Sequence, residues 1–505
     1  MSRPTWSRAR DIDADAVIDG DLCIVGAGAA GITLALQFIG RTERVILLEG
    51  GDLQPTEASR DLYAGSCDEP LSDGYLQGSR LRFFGGTTNH WLGACLTLDP
   101  IDFETRDWLP GSGWPFSRET LEPFYRRAAE EICEVADLPI DTDVPVAGGD
   151  AIEKPIRFQA IRFGMRYRSA LQAASNIEVV TGATVVHLDL DRHGARVEAL
   201  RVVAVDAPER RFTVRARHVV LATGAIENAR LLLASDDVQS SGVGNQYDLV
   251  GRYFQDHAVF STTEIGFTDR RPETRSRLGQ LKTTRGSLFR LSDDIQRERR
   301  LLNCIFGVNL IPEVEDTRRQ GLSAGAWRRF AAFLETLDAE QQAIIHDATS
   351  DAVVASKLYV RRFNIRPEQE PDPENRVTLL GERDALGVRR CHLRWRFSRR
   401  SIDSTAASVR CFAEQLGRAG LGRIRLDQRA LEQRAYSPGF HHIGTTRMHD
   451  DPRRGVVDAD GRVHGVTNLY CAGSSLFPTS GSANPTLTIV ALTLRLADHL
   501  QRGTA

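Results

Sequence analysis

The sequence predicts an α/β plus α+β fold, in which a Rossmann-like domain is joined to a domain built on an antiparallel sheet covered by helices. The first observation is a strand, a glycine turn, a helix and a second strand over residues 21–51. The second is a set of widely separated strand and helix patterns between residues 263 and 434. The third is the return of Gly-, Ser- and Thr-rich loops after residue 435. Because 505 residues exceed one ordinary core, we expect two domains.

The composition excludes several classes of function. The formal charge of −3, with 26% charged residues, gives no general field that would attract nucleic acid or an anionic membrane. The N-terminus is polar and the following apolar run is broken by glycines, so we expect neither a signal peptide nor a transmembrane segment. Eight scattered cysteines without CxxC spacing argue against a metal site or a disulfide framework. We therefore expect a cytoplasmic protein with reduced thiols.

The first cofactor motif is GxGxxG, formed by Gly26, Gly28 and Gly31 between apolar runs at residues 22–25 and 45–48. Glycines permit a tight turn and close backbone approach to a pyrophosphate, and an acidic residue after the second strand can bind ribose hydroxyls. Glu49 occupies that acidic position. The motif predicts dinucleotide binding rather than a glycine turn in an unrelated βαβ unit. The predicted contacts in this region are Gly26, Gly28, Ala30, Gly31, Glu49 and Gly50.

Two further stretches have the composition of cofactor loops. Residues 78–95, GSRLRFFGGTTNHWLGAC, offer backbone amides, hydroxyls and one imidazole, although an ordinary loop around a packed Trp91 is the alternative. Residues 177–218 alternate like the strands of a small sheet, and a buried strand at 219–222 leads into a helix start. The predicted cofactor contacts in these stretches are Gly86, Thr87, Asn89, His90, Val185, Thr223, Gly224 and Asn228.

The segment 263–434 mixes strand patterns with helical patterns at residues 323–337 and 401–420. It predicts the antiparallel sheet of a second domain, which would form the wall opposite the cofactor. After residue 435, Asn484 and Pro485 have the residue types of a helix N-cap and first position. The bare amides of that helix would stabilise an anion. The predicted cofactor contacts here are Gly473, Ser474, Asn484, Pro485 and Thr486.

The chain resembles the glucose-methanol-choline (GMC) family of flavin oxidoreductases over nearly its whole length. The family's motifs occur in its order as GAGAAG with Glu49, GGTTNHW, SGWPFSRETLEPFY, LATGAIENARLLL, EQEPDPENRVTL, HHIGTTRM and NLYCAGSSLFPTSGSANPTLT. The resemblance implies the GMC fold, FAD as cofactor, and oxidation of an alcohol to a carbonyl. We assign the FAD domain to residues 15–262, with a flavin-loop insertion at 55–160, the substrate domain to 263–434, and the return to the FAD domain to 435–505.

The resemblance also implies the catalytic residues. The family pattern H-x-x-G-T places the catalytic histidine on His441, and the second catalytic position falls on Asn484. His442 is not required by the pattern, so a rotated assignment stays open, but we favour a packed imidazole there. His441 would act as a neutral base, flavin N5 would accept the hydride, and Asn484 would bond the substrate oxygen. His90 stands where some members bond FAD covalently, and covalent attachment stays open.

His441 with Asn484, the histidine in GGTTNHW and the tail SGSANPTLT look closest to the pyranose oxidase and bacterial glycoside oxidase branch. That branch implies oxidation of a sugar or glycoside at a secondary ring hydroxyl. A polyol needs polar partners, and residues 357–371 offer Arg366 and Gln369 as candidate substrate residues, although a solvated strand edge is the alternative. The alternatives are a non-sugar alcohol such as an aminocyclitol or polyketide, a non-redox lyase, a nicotinamide-dependent reductase, and a non-enzymatic flavin-binding protein. The electron acceptor would be dioxygen or a quinone or carrier.

Overall fold

The structure is a computed structural model that describes residues 5–138, 140, 144–146, 150–268, 285–309, 358–418, 422–426, 428–433 and 436–503. The strands are β1 Trp6–Arg8, β2 Val17–Val25, β3 Val45–Glu49, β4 Gly65–Cys67, β5 Ala94–Cys95, β6 Val144–Val146, β7 Ala151–Phe158, β8 Ile177–Thr181, β9 Ala183–Leu190, β10 Val197–Ala204, β11 Ala207–Leu221, β12 Ala258–Thr268, β13 Arg285–Leu291, β14 Cys304–Asn309, β15 Leu358–Pro367, β16 Arg376–Arg383, β17 Arg389–Arg394, β18 Gly422–Arg425, β19 Ser437–Pro438 and β20 Leu469–Cys471. The helices are α1 Ala29–Leu36, α2 Glu57–Asp61, α3 Tyr75–Gly78, α4 Pro100–Phe103, α5 Arg118–Arg127, α6 Phe163–Arg166, α7 Arg168–Ala173, α8 Ala225–Ala234, α9 Asp293–Arg299, α10 Arg399–Arg418, α11 Gln428–Glu432 and α12 Thr486–Arg502.

The first sheet has a parallel centre in the order β1, β8, β3, β2, β11, with β20 also parallel to β11. All residues of β3 and β8 are buried, as expected for strands covered on both faces. The glycine turn follows β2 and leads directly into α1. This arrangement is Rossmann-like, as the sequence predicted.

The strands between residues 177 and 221 do not form a separate small sheet. β8 lies between β1 and β3, while β9, β10 and the first half of β11 extend the same sheet as an antiparallel meander. β11 runs for 15 residues without a break and changes partner near Thr213, from β10 to β2. No Gly, Pro, Asn, Asp or Ser stands between residues 209 and 219 to end the strand, so the buried strand predicted at 219–222 is the end of β11.

The second sheet is antiparallel throughout, in the order β18, β12, β15, β14, β13, β7, β5, with β6 beside β7 and β19 beside β12. Helix α10 packs against it through a buried face that includes Val409 and Phe412. The rings of Phe412 and Phe306 stack with their centroids 4.5 Å apart. The helix predicted at 401–420 is therefore present, whereas the one predicted at 323–337 lies outside the described residues.

Two groups of strands lie elsewhere than the sequence analysis expected. β5, β6 and β7 come from residues 94–158 and join the antiparallel sheet, although we assigned that segment to the FAD domain. β16 and β17, from the segment assigned to the substrate domain, form a separate sheet with β4. Gly65 permits this pairing, because a Cβ there would stand 2.1 Å from the carbonyl oxygen of Cys391. The three domain boundaries stay predictions.

The C-terminal helix α12 packs against α1 and α5. Its buried face includes Leu487, Val490 and Leu494, none of which is exposed to solvent. Helix α12 thus lies beside the helix that follows the glycine turn, although the two are far apart in sequence. Within the described residues, no helix combines the length and the apolar character that crossing a bilayer requires.

Candidate active site

A cavity of about 470 Å³ opens where the loops after β2, β3, β11 and β20 meet. It lies at the carboxyl ends of the parallel strands, the position at which such sheets bind ligands. Most residues predicted from the sequence line it. They are Gly26, Gly28, Ala30, Glu49, Gly50, Gly86, Thr87, His90, Val185, Thr223, Gly224, His441, His442, Gly473, Ser474, Asn484, Pro485 and Thr486.

Two predicted contacts, Gly31 and Asn89, do not line the cavity but shape its loops. A Cβ on Gly31 would stand 1.8 Å from the carbonyl oxygen of Gly26, so glycine lets α1 approach the turn. Asn89 Nδ2 donates to the carbonyl oxygen of Phe84 at 2.8 Å, and its Oδ1 accepts from Gly164 N at 3.2 Å. Both residues therefore set the backbone of a loop.

Asn228 is also outside the cavity wall and is fully buried in α8. Its Oδ1 accepts hydrogen bonds from the backbone N and Oγ1 of Thr223, at 3.0 and 2.6 Å. Its Nδ2 donates to the carbonyl oxygen of Ala472 at 3.2 Å and to Ser475 Oγ at 3.0 Å. One side chain thus joins two of the loops that form the cavity.

Glu49 is buried at the end of β3 and holds the glycine turn. One carboxylate oxygen accepts from Ala27 N and the other from Gly51 N, each at 2.8 Å. Burial raises the pKa of this carboxyl group, while the hydrogen bonds from Gly51 and Ala27 and the charge of Arg82 oppose that rise. The carboxylate therefore aligns two loops and still faces the cavity.

The cavity has the features that a dinucleotide cofactor needs. The first residues of α1, α8 and α12 all line it, so three sets of helix N-terminal amides face the same space. A Cβ added to Gly28, Gly224 or Gly473 would meet no heavy atom within 4 Å, so the cavity has open room at these three backbone positions. The residues present fit FAD.

His441 and Asn484 meet at the cavity wall although they are 43 residues apart in sequence. Asn484 Nδ2 lies 3.3 Å from His441 Nε2. We expected Asn484 to serve as an N-cap, but its amide faces the histidine. Pro485 has helical angles of −75° and −18°, and its carbonyl oxygen accepts from Ile489 N at 2.8 Å, so the first turn forms from Pro485 onward.

The environment of His441 favours a neutral imidazole. Burial lowers its pKa well below the usual range, and His257, Arg366 and His442 lower it further. Its other ring nitrogen, Nδ1, lies 2.8 Å from Nδ1 of His257. His257 Nε2 in turn lies 2.8 Å from the carbonyl oxygen of Gly481.

Asp256 holds the loop that carries His441. One carboxylate oxygen accepts from the backbone N of His257 and of His441, each at 2.7 Å. The other accepts from Tyr75 at 3.0 Å and from Phe440 N at 3.2 Å. Burial raises the pKa of Asp256 to about 7, although these hydrogen bonds oppose the rise.

His442 is held in place by Tyr75. Its Nε2 lies 2.9 Å from the Tyr75 hydroxyl oxygen. That hydroxyl donates to Asp256, so His442 Nε2 must donate to Tyr75. Burial lowers the pKa of His442 to about 3, and the charge of Arg80 contributes to this decrease. His442 is thus a neutral, fixed imidazole within the cavity wall.

The two candidate substrate residues lie outside the cavity wall. Arg366 Nε donates to the carbonyl oxygen of Ser482 at 2.9 Å, and burial lowers the pKa of its guanidinium to about 10. Gln369 Oε1 accepts from Asp256 N at 3.0 Å and from Trp395 Nε1 at 2.8 Å. Both side chains therefore support loops of the site.

The sequence analysis missed Asp256, His257, Arg80 and Arg82. The last two line the cavity, and Arg80 pairs with the buried Glu227 at 2.9 Å. An adjacent acid and histidine in VGRYFQDH, and two arginines just before GGTTNHW, were the available signals. Neither pattern has a fixed spacing that predicts a role.

Comparisons with known proteins agree with this architecture. Residues 159–259 and 371–493 match the N-terminal and C-terminal models of the GMC oxidoreductase family. The chain is similar to paromamine 6'-oxidase of Streptomyces fradiae, with 24% identity over 96% of this chain and 93% of the relative. It is also similar to the fructose dehydrogenase large subunit of Gluconobacter japonicus, with 25% identity over 96% of this chain and 98% of the relative.

A solved structure supports the fold. Pyridoxine 4-oxidase from Mesorbium loti superimposes with a TM-score of 0.57, over 95% of this chain and 99% of that one, at 18% identity. The predicted family is confirmed by the two family matches, and the predicted fold by this likeness. The chain belongs to the GMC oxidoreductase family and is an FAD-dependent oxidoreductase that acts on alcohols.

Proposed function

We propose that the protein oxidises a secondary ring hydroxyl of a sugar or glycoside, with His441 as the base. The observation that carries the proposal is the contact between His441 Nε2 and Asn484 Nδ2, 3.3 Å long, at the cavity wall. A neutral imidazole and an amide at this separation can both approach one substrate oxygen. The imidazole takes the hydroxyl proton while the amide bonds the oxygen that becomes a carbonyl.

The residues around this pair support the same chemistry. Oxidation removes a proton from the hydroxyl and a hydride from the carbinol carbon, and bound FAD supplies the hydride acceptor. Because burial keeps His441 neutral, the base is ready at physiological pH. General base assistance is typically worth ~10²–10⁴-fold in rate. The N-terminal amides of α12 line the cavity and stabilise negative charge there.

The substrate class rests on weaker support than the chemistry. The two relatives above are named for paromamine and for fructose, both polyhydroxylated compounds. Arg366 and Gln369 were predicted to contact the substrate; we propose instead that they position the catalytic loops, since each holds a loop backbone. Aminocyclitols and polyketide alcohols are the competing substrates.

The test is reduction of the flavin under anaerobic conditions by a panel of alcohols. Monosaccharides, aryl glycosides and C-glycosides are compared with benzyl alcohol, choline and a sterol, and bleaching of the flavin absorbance is the signal. We expect bleaching by at least one carbohydrate. Reduction by one of the other three and by no carbohydrate would reject the substrate class. If alcohols are consumed while the flavin stays oxidised, the result would favour the lyase alternative.

Two accessory properties belong to the same proposal. The electron acceptor is dioxygen or a quinone or carrier, and oxygen uptake measured beside dye reduction separates them. His90 lines the cavity and packs edge-on against Phe83, with ring centroids 6.4 Å apart. We propose His90 as the position for any covalent bond to FAD. Acid precipitation decides this, because a yellow supernatant means non-covalent FAD.

A further inference from the structure

We propose that His257 is a positioning residue that keeps His441 in the tautomer protonated on Nδ1, so that the Nε2 lone pair faces Asn484 and the cavity. The proposal rests on the proposed function, in which His441 is the base. It assigns a role to a residue that is fully buried and does not line the cavity. Four groups are in contact in a row: the carbonyl oxygen of Gly481, His257, His441 and Asn484.

The carbonyl oxygen of Gly481 can only accept a hydrogen bond. His257 Nε2 lies 2.8 Å from this oxygen, so Nε2 carries a proton. The His257 ring has no exposed surface, and burial together with the charge of Arg366 lowers its pKa to about 3. His257 is therefore neutral, and its Nδ1 has a free lone pair.

The Nδ1 atoms of His257 and His441 are 2.8 Å apart. Two bare lone pairs at this distance would repel each other, so one nitrogen must carry a proton. Since Nδ1 of His257 is bare, the proton is on His441, and His441 Nδ1 donates to His257 Nδ1. His441 is neutral, so its Nε2 is the unprotonated atom, and Asn484 Nδ2 donates to it at 3.3 Å.

Protonation of His441 strengthens its hydrogen bond to His257. When His441 Nε2 receives the hydroxyl proton, its Nδ1–H becomes a donor from a charged ring, and such hydrogen bonds are shorter and stronger. The groups that face the histidine pair are Asp256, Arg366 and His442. Arg366 opposes the added charge and His442 is neutral, while an ionised Asp256 favours it. His257 therefore supplies the direct acceptor for the cation.

The position of His257 also couples two loops. It follows Asp256, whose carboxylate holds the backbone N of both histidines. Its ring reaches the loop 480–485, which carries Asn484, through the carbonyl oxygen of Gly481. His257 thus links the His441 ring to the loop that carries Asn484, in addition to setting the tautomer of His441.

The experiment compares two substitutions in the full-length, FAD-loaded protein. His257→Leu removes the acceptor and leaves the His441 Nδ1–H unpaired, whereas His257→Asn keeps an acceptor oxygen near the place of Nδ1. We expect His257→Leu to lower the limiting rate of flavin reduction about 10- to 100-fold, as follows from one unpaired buried N–H. The substrate concentration at half-limiting rate should be unchanged. We expect His257→Asn to restore the rate to within about threefold of wild type.

A second readout does not depend on activity. In protein labelled with ¹⁵N-histidine, NMR distinguishes Nδ1–H from Nε2–H tautomers, and His441→Gln identifies the signal of His441 among the 12 histidines. We expect Nδ1–H in wild type and in His257→Asn, and loss of this preference in His257→Leu. A purely structural role for His257 would not change the tautomer of a neighbouring ring.

The outcomes separate this inference from the proposed function. Nε2–H on His441 in wild type overturns the inference, even if His257→Leu fails to fold. Nδ1–H retained in His257→Leu, or a rate equal to wild type, overturns it as well. If the wild-type flavin is reduced by no alcohol, or if His441→Ala is reduced as fast as wild type, the proposed function fails, while the tautomer is still decided by NMR.

Discussion

Replacing Glu368 with glutamine should destabilise the protein by about 3 kcal/mol, because it leaves a buried arginine without its counter-charge. Arg106 donates two hydrogen bonds to the Glu368 carboxylate, at 2.8 and 2.6 Å, and Asn303 N donates a third at 3.0 Å. Both side chains of the ion pair are 0% exposed. In Glu368→Gln, one carboxylate oxygen becomes an NH₂ group that faces the guanidinium donors.

The magnitude follows from the surroundings of the pair. Removing one partner of a buried ion pair typically costs about 3–5 kcal/mol. Asp102 lies close to Arg106, and its pKa is raised to about 7 by burial, by Asp99 and by Glu368. Loss of the Glu368 charge makes Asp102 easier to ionise, which partly compensates Arg106. We therefore expect the lower end of the range, about 3 kcal/mol.

The assay is urea unfolding of the FAD-loaded protein, followed by tryptophan fluorescence at one protein and one FAD concentration. Glu298→Gln is the matched control, because the Glu298 side chain is 66% exposed and its contact with Arg299 is 3.4 Å long. We expect the control to lie within about 0.5 kcal/mol of wild type. A loss below about 1 kcal/mol in Glu368→Gln would refute the reasoning, since the buried arginine would then need no counter-charge.

The remaining predictions concern the cofactor loops and the proposed catalytic pair, His441 and Asn484. Gly28→Val should leave the fold intact but weaken FAD binding, because the new side chain enters the open cavity. Gly31→Val should instead prevent folding, because its Cβ would stand 1.8 Å from the carbonyl oxygen of Gly26. Flavin retention and circular dichroism separate the two, and equal behaviour of both variants contradicts the loop geometry. His441→Ala should slow flavin reduction at least ~10²-fold with FAD still bound, and Asn484→Ala should slow it less, since it removes one hydrogen bond. Stopped-flow absorbance measures both rates. A larger effect of Asn484→Ala would argue against His441 as the base. The pKa of His441 is lowered well below its usual range, so we expect its ring to stay neutral from pH 8 down to about 6.5, as ¹⁵N-histidine NMR measures. Protonation of the His441 ring with its midpoint at pH 6.5 or above would show that burial does not keep this imidazole neutral.

Local sequence was enough wherever neighbouring residues determine the backbone. Gly26, Gly28 and Gly31 stand between two apolar runs, and this spacing alone predicted the turn between β2 and α1 and the position of Glu49. The helical pattern of residues 401–420 likewise predicted α10, which the structure describes over Arg399–Arg418. Periodicity and turn chemistry are short-range properties, so they survive without knowledge of the partners.

Strand pairing could not be predicted from the sequence, because each strand pairs with partners far along the chain. β8 pairs between β1 and β3, and β17 pairs with β4 more than 320 residues earlier, since Cys391 aligns with Gly65. Each of these strands has an apolar pattern that fits several neighbours. At β4, the close approach to β17 requires a residue without a side chain, and Gly65 meets that need.

The sequence by itself determined the family, the cofactor type and the loops that surround the cavity, because those loops carry their own motifs. Tertiary structure alone decided what each side chain does there. Asn484 has the residue type of a helix cap, yet its amide bonds His441. His257 lies 184 residues from His441, and no spacing rule connects them. Hydrogen-bond direction depends on atoms brought within about 3 Å by the packing of two loops, which no local pattern in the chain encodes.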